Sequence, residues 1–262
     1  MPKIVFLLLA LFAPIYAQSD NLNLDYLKGY ISDTKALITS PSHWDNSDWI
    51  KASLFTGITA GLYAYDGDIQ GWVQKNRSDT SDGISRFAKP FGDRRYAVPI
   101  ICGFYLYGHC LENEKAKRTA LLSLESLVIS NLFTETIKHA GHRHRPNTMD
   151  SYNKWDGPSF SASNLSFPSG HTSSAFAIAT VIASEYEDAP LIPTLSYAVA
   201  TLTGLSRIND NAHWASDVFF GAGIGYFVGK AIVNLHSDKI NSSHILPIIN
   251  GQYVALLAVY DF

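Results

Sequence analysis

Three short runs hold the residues of this chain best suited to chemistry. Lys138 to Pro146 reads K-x6-R-P, Pro168 to His171 reads P-S-G-H, and Ser206 to Asp217 reads S-R-x5-H-x3-D. Together they supply the cations Lys138, Arg145 and Arg207, the imidazoles of His171 and His213, and the carboxylate of Asp217. Hydrolysis of a phosphoric ester needs such a set: fixed positive charge around the phosphoryl oxygens, a nucleophile, and a proton donor for the leaving oxygen.

His213 precedes Asp217 by four residues, a spacing that places both side chains on one face if the segment is helical. A carboxylate that accepts the Nδ1 proton fixes the tautomer and leaves Nε2 free to attack; a pair that merely caps a helix is the plainer alternative. His171 follows Ser169-Gly170 at the start of an expected helix, where backbone N–H groups and the macrodipole favour an anion. Gly170 lets backbone approach a phosphate closely, and Ser169 can donate a hydroxyl. Arginine suits bidentate contact with phosphoryl oxygens and lysine a point contact, although Lys138 at a helix end would also serve as a C-terminal cap. Three such cations can stand in for metal ions, so no cofactor or metal is expected. His139, His142 and His144 have ligand character, but no carboxylate or cysteine completes the set locally, which favours a positively charged, pH-responsive rim.

In order and spacing the three runs resemble the signature of the type 2 phosphatidic acid phosphatase and vanadium haloperoxidase superfamily. The match rests on Lys138, Arg145, Pro146, Pro168, Ser169, Gly170, His171, Ser206, Arg207, His213 and Asp217, within a catalytic core of about residues 130–230. The resemblance implies that His213 is the nucleophile of a phosphohistidine intermediate. It makes His171 the general acid and then the base, Asp217 the residue that orients His213, and Lys138, Arg145, Ser169, Gly170 and Arg207 the holders of the oxygens. It implies a phosphorylated substrate: a lipid such as phosphatidate, phosphatidylglycerol phosphate or polyprenyl diphosphate, or a soluble ester as in the exported acid phosphatases. Vanadate-dependent halide oxidation in the same pocket is a rival, and a phosphate-binding protein without turnover is another.

Positioning these residues falls to helices. Apolar spacing predicts helices over Leu22–Ile38, Trp49–Tyr65, Tyr96–Leu111, Lys115–Lys138, Ser169–Glu187, Leu191–Arg207 and Ala212–Leu235, joined by pieces rich in Gly, Pro, Asp and Asn. Gly221, Gly225 and Gly229 recur every four residues on the last, a face that admits another backbone. Asn250-Gly251 between two apolar runs signals a hairpin. The expected fold is all-α, a helical bundle over residues 18–238 with a short C-terminal β-hairpin over 239–262. Trp214, Phe219 and Phe220 fit helix packing and a substrate wall equally well.

Met1 to Ala17 fits a secretory signal peptide, so a periplasmic or cell-envelope location is expected. The helices are apolar almost all round, yet their uninterrupted apolar stretches fall short of the roughly 20 residues a span needs. That favours a soluble bundle or one in peripheral contact with a membrane over a polytopic protein. A net charge of −3 gives no basic field for nucleic acid. Cys102 and Cys110, eight residues apart on one expected helix, lie about 12 Å apart, too far to bridge within it, and are expected to be buried thiols, with a bridge open if the helix breaks at Gly108.

Overall fold

The computed structural model describes the backbone of residues 23–241, 244–250 and 253–259, and side chains through residue 237 apart from residue 25. The expected signal peptide lies outside the described residues. Among these, nine α-helices run in order: α1 Leu24–Thr39, α2 Asn46–Ala64, α3 Asp66–Lys75, α4 Asp79–Ala88, α5 Arg94–Cys110, α6 Glu114–Gly141, α7 Gly170–Glu185, α8 Leu191–Asn209 and α9 Ala215–Asn241. The fold is all-α. Beyond α9, strands β1 His244–Asn250 and β2 Tyr253–Val259 pair antiparallel with each other. How the expected hairpin packs on the bundle lies outside the described side chains.

Local chemistry starts the helices where polar caps stand. The side chains of Asn23, Asp45, Asp93 and Asn113 each accept a backbone N–H in the first turn of α1, α2, α5 and α6. Helices α3 and α4 occupy a stretch that periodicity assigned to loop. Both are short and polar, and α4 opens with a reciprocal capping box in which Ser81 takes the place usually held by Glu or Gln.

The centre of the bundle is the α6–α7–α9 trio, where Leu122, Ile129, Val181, Val228 and Ile232 form one buried cluster. Helix α5 packs on α6 through Ala97, Ile101, Ala120 and Leu127, and α8 packs on α7 through Ala175, Ala179 and Ala200. A Cβ on Gly221 would strike the backbone of Ser169, one on Gly225 that of Ser173, and one on Gly229 that of Ala177. Because partner numbers rise together in steps of four, α7 and α9 run parallel with their backbones in contact. The glycine face thus works as its spacing predicts.

Several outward faces of the bundle are apolar. Trp49, Ile50, Leu54 and Ile58 on α2 are exposed, as are Ile100 and Leu106 on α5 and Leu191, Leu195, Leu202 and Leu205 on α8. Glu114–Gly141 and Ala215–Ser237 are long and apolar enough to cross a membrane. Both qualify by length and composition because few charges interrupt them, although neither holds an uninterrupted apolar run of the length a span needs. Cys102 and Cys110 are free and exposed rather than buried, on a face of α5 that belongs to this apolar exterior.

Candidate active site

Parallel packing of α7 and α9 brings their N-termini to one end of the bundle. His171 is the second residue of α7 and Asp217 the third of α9, while Lys138 and Arg207 lie in the last turns of α6 and α8. Contacts tie these ends together. Ser169 N–H donates to the Asp217 carbonyl at 2.9 Å, and His213 N–H to the Arg207 carbonyl at 3.2 Å. Lys138 Nζ and Arg145 Nη2 both donate to the Leu165 carbonyl, at 2.9 and 3.1 Å, and Arg145 Nη1 donates to the Ala212 carbonyl at 3.2 Å. The Gly170 Cα faces the Lys138 stem, with 3.8 Å between Cε and the place a Cβ would take. All eight residues singled out for chemistry, Lys138, Arg145, Ser169, Gly170, His171, Arg207, His213 and Asp217, therefore gather at one end of the bundle.

Polar groups here are buried yet under-used. His171 Nε2, His213 Nδ1 and Arg207 Nε have no hydrogen-bond partner among the described residues, a condition buried polar atoms rarely tolerate outside functional sites. The Ser169 hydroxyl accepts from Thr172 at 2.9 Å, which leaves its own proton free to donate. Arg207 is steadied by Asp210 at 3.1 Å. The first backbone N–H groups of α7 have no partner within the helix, so the site adds the N-terminus of α7 to three cations.

His213 departs from expectation. It sits in the bend before α9 rather than on the helix, and its Nδ1 lies 3.6 Å from Asp217 Oδ2, an ion-pair distance beyond a hydrogen bond. The reason is competition for the carboxylate. Asp217 Oδ2 accepts from the Ser166 hydroxyl at 2.6 Å and from Trp214 N–H at 2.9 Å, the second contact capping α9. Its Oδ1 accepts from Arg143 Nη1 at 2.6 Å.

Arg143 and Asp66 are residues that sequence reasoning missed. Arg143 is wholly buried and reaches Asp66 at 2.7 Å, the Ser216 hydroxyl at 2.7 Å and the Tyr152 carbonyl at 2.8 Å, with its guanidinium over Tyr63, Trp155 and Trp214. Asp66 Oδ1 accepts from Ser216 N–H at 2.9 Å. The positive charge of the first run is thus divided: Arg145 goes to the site, and Arg143 neutralises the two acids behind it. The only sequence signal was Arg143 within the basic run, and nothing linked it to Asp66, 77 residues away.

Burial, and after it the charges of Arg145, Lys138, Arg207 and His171, hold the His213 imidazole well below its ordinary pKa. It is therefore neutral near pH 7, as a nucleophile must be. The expected histidine rim does not form, because His142 and His144 are buried. His144 lies between Asp150 at 2.6 Å and Asp156 at 2.9 Å. Burial opposes its charge, but these two carboxylates outweigh that and raise its pKa. This clamp staples the loop between α6 and α7 that delivers Leu165 and Ser166. Trp214 donates from its indole to the His144 carbonyl at 2.8 Å, and Phe219 and Phe220 pack on Phe55, so these aromatics are packing groups.

Known proteins resemble this chain in sequence and in fold. Residues 119–241 match the PAP2 superfamily. A segment of 74 residues, 28% of this chain, is 50% identical to the lipid A 1-phosphatase of Porphyromonas gingivalis, and the match spans 16% of that protein's length. Among solved structures, Aquifex aeolicus LpxE superposes with a TM-score of 0.50 at 22% identity, over 64% of this chain and 93% of that one. A PAP2-type phosphatidylglycerolphosphate phosphatase from Bacillus subtilis aligns at 16% identity and TM-score 0.49, over 82% and 95% of the two chains.

Proposed function

From the match of residues 119–241 to the PAP2 superfamily, we propose that the protein is a membrane-associated lipid phosphatase, a hydrolase of phosphoric ester bonds. The observation that carries the reading is the convergence of Lys138, Arg145, Arg207, His171 and His213 at helix ends, with three buried side-chain nitrogens that have no partner among the described residues. A lipid fits because the bundle that presents this site has an apolar exterior, so a phosphorylated headgroup can reach it while its chains stay in hydrocarbon. The strong identity of one segment to a lipid A 1-phosphatase favours a glycolipid phosphate over phosphatidate, phosphatidylglycerol phosphate or polyprenyl diphosphate.

In the proposed mechanism Lys138, Arg145, Arg207, the Ser169 hydroxyl and the first N–H groups of α7 hold the non-bridging oxygens. His213 Nε2 attacks phosphorus and the N–P bond forms as the P–O bond to the lipid breaks. His171, its pKa held down to about 4 by burial and then by the charge of Arg207, gains its proton as the anionic phosphoryl group binds and gives it to the departing oxygen. Asp217, 3.6 Å from Nδ1, stabilises the imidazolium that results. His171, now neutral, takes a proton from water, the water oxygen displaces His213, and phosphate leaves.

Rapid acid-free quenching with a 32P-labelled lipid phosphate tests this. A phosphoenzyme stable to base, labile to acid and absent from His213→Ala is the expected result. Turnover without any such species, or its persistence in His213→Ala, would contradict the assigned nucleophile.

A further inference from the structure

At the far end of the bundle, three buried residues from three helices face one another: Asp33 of α1, Glu125 of α6 and His236 of α9. Thirteen helical residues separate Glu125 from Lys138 and nineteen separate His236 from Asp217, about 20 Å and about 28 Å of helix, so this cluster is remote from the phosphoryl site. We propose that Asp33, Glu125 and His236 bind a single divalent transition-metal ion of the Zn2+ or Mn2+ class, which pins α1 to α6 and α9.

The distances carry the proposal. His236 Nε2 lies 3.2 Å from Asp33 Oδ2 and 3.2 Å from Glu125 Oε2, and one donor atom from each of the three residues falls within 4.8 Å of the other two. Two ligands each about 2.0–2.2 Å from one ion, at bond angles near 100°, stand roughly 3.2 Å apart. A single Nε2–H cannot point at both carboxylates, whereas an ion inside the triangle meets a lone pair from each side chain.

Independent support comes from the polar atoms around the triangle. Glu125 is 0% exposed, yet among the described residues its Oε1 has no hydrogen-bond partner, and neither does the buried hydroxyl of Tyr30. A fully buried carboxylate with one idle oxygen is strongly unfavourable unless a cation neutralises it. The Tyr26 hydroxyl donates to Glu125 Oε2 at 3.0 Å and its ring packs on the His236 imidazole, 5.7 Å between centroids, which holds both groups in place. One imidazole with two carboxylates suits zinc or manganese better than an all-oxygen cation such as calcium or magnesium. The ion takes no part in the chemistry at His213; it fastens the N-terminal helix, whose Leu24, Leu27 and Ile31 are otherwise exposed.

The test uses the full chain, purified in detergent and stripped with EDTA, then titrated with Zn2+ or Mn2+ alone. One ion per chain should bind, and at a free concentration a hundredfold above Kd the melting temperature should rise by roughly 5–10 °C. Glu125→Gln should lose at least tenfold in affinity together with the thermal shift, while His213→Ala keeps both. Asp33→Asn and His236→Gln serve the same purpose should Glu125→Gln fold poorly. Wild-type protein that binds no ion, or binding left intact in whichever of these variants fold, would overturn the site.

Discussion

Asp217 holds three donors before it acts on His213, and that fact sets what single substitutions should do. His213→Ala removes only the attacking nitrogen, so turnover should fall by about 10^4 or more while lipid phosphate still binds. Asp217→Asn should lose activity and also stability, about 3–5 kcal/mol in a urea melt, because it strips one acid from the fully buried Arg143. Asp66→Asn acts one contact further out: kcat should fall by about tenfold to a hundredfold with KM unchanged, because Asp66 touches Arg143 and Ser216 but not the substrate. The depressed pKa of His213 implies that its neutral form persists well below pH 6.5, so the rate should not fall between pH 7 and 5.5 through protonation of the nucleophile. A steep loss centred near pH 6.5 that follows His213 in a pH titration by NMR would contradict this. Every residue named for the chemistry could be found from spacing, since each run is local. Arg143, Asp66 and Ser166 could not, because their roles exist only after α3, α9 and the α6–α7 loop meet.

The catalytic end is built by helix packing, and its most exacting joint is the contact of α7 with α9. Gly225→Ala would drive a Cβ into the Ser173 carbonyl and force the two N-termini apart. Destabilisation of about 1–3 kcal/mol, with a loss of activity larger than that of Gly57→Ala on an open face of α2, is the expected outcome. The four-residue glycine recurrence made this face legible in advance, but not that it runs parallel to α7. His144 provides an element-scale test by pH. Its folded pKa is raised, so the stabilisation it gives the α6–α7 loop is complete below about 6.5 and is lost as pH rises through the folded value. Proteolysis within residues 150–164 should therefore quicken as pH rises through that window, and His144→Gln should flatten the dependence. The seven apolar helices were readable from periodicity, while α3 and α4 were not, since both are short and polar.

For the molecule as a whole, hydropathy averaged over the chain hid where the apolar residues go. Near-neutral composition favours a soluble bundle, yet the folded chain spends much of its large apolar surface on the outside of α2, α5 and α8. The protein should accordingly stay with membranes after alkaline carbonate washing and need detergent for extraction; release by carbonate would argue against embedding. The second buried cluster, Asp33 with Glu125 and His236, was equally invisible in sequence, because its members stand 92 and 111 positions apart and join only when α1, α6 and α9 pack. The most direct test of the central claim is phosphate release by the purified protein in EDTA, comparing lipid A 1-phosphate, phosphatidate and polyprenyl diphosphate with p-nitrophenyl phosphate, alongside His213→Ala. Release from a phosphorylated lipid at a kcat/KM well above that for the soluble ester, abolished in His213→Ala, is the predicted result. Release from the soluble ester alone, or activity that survives in His213→Ala, would contradict it.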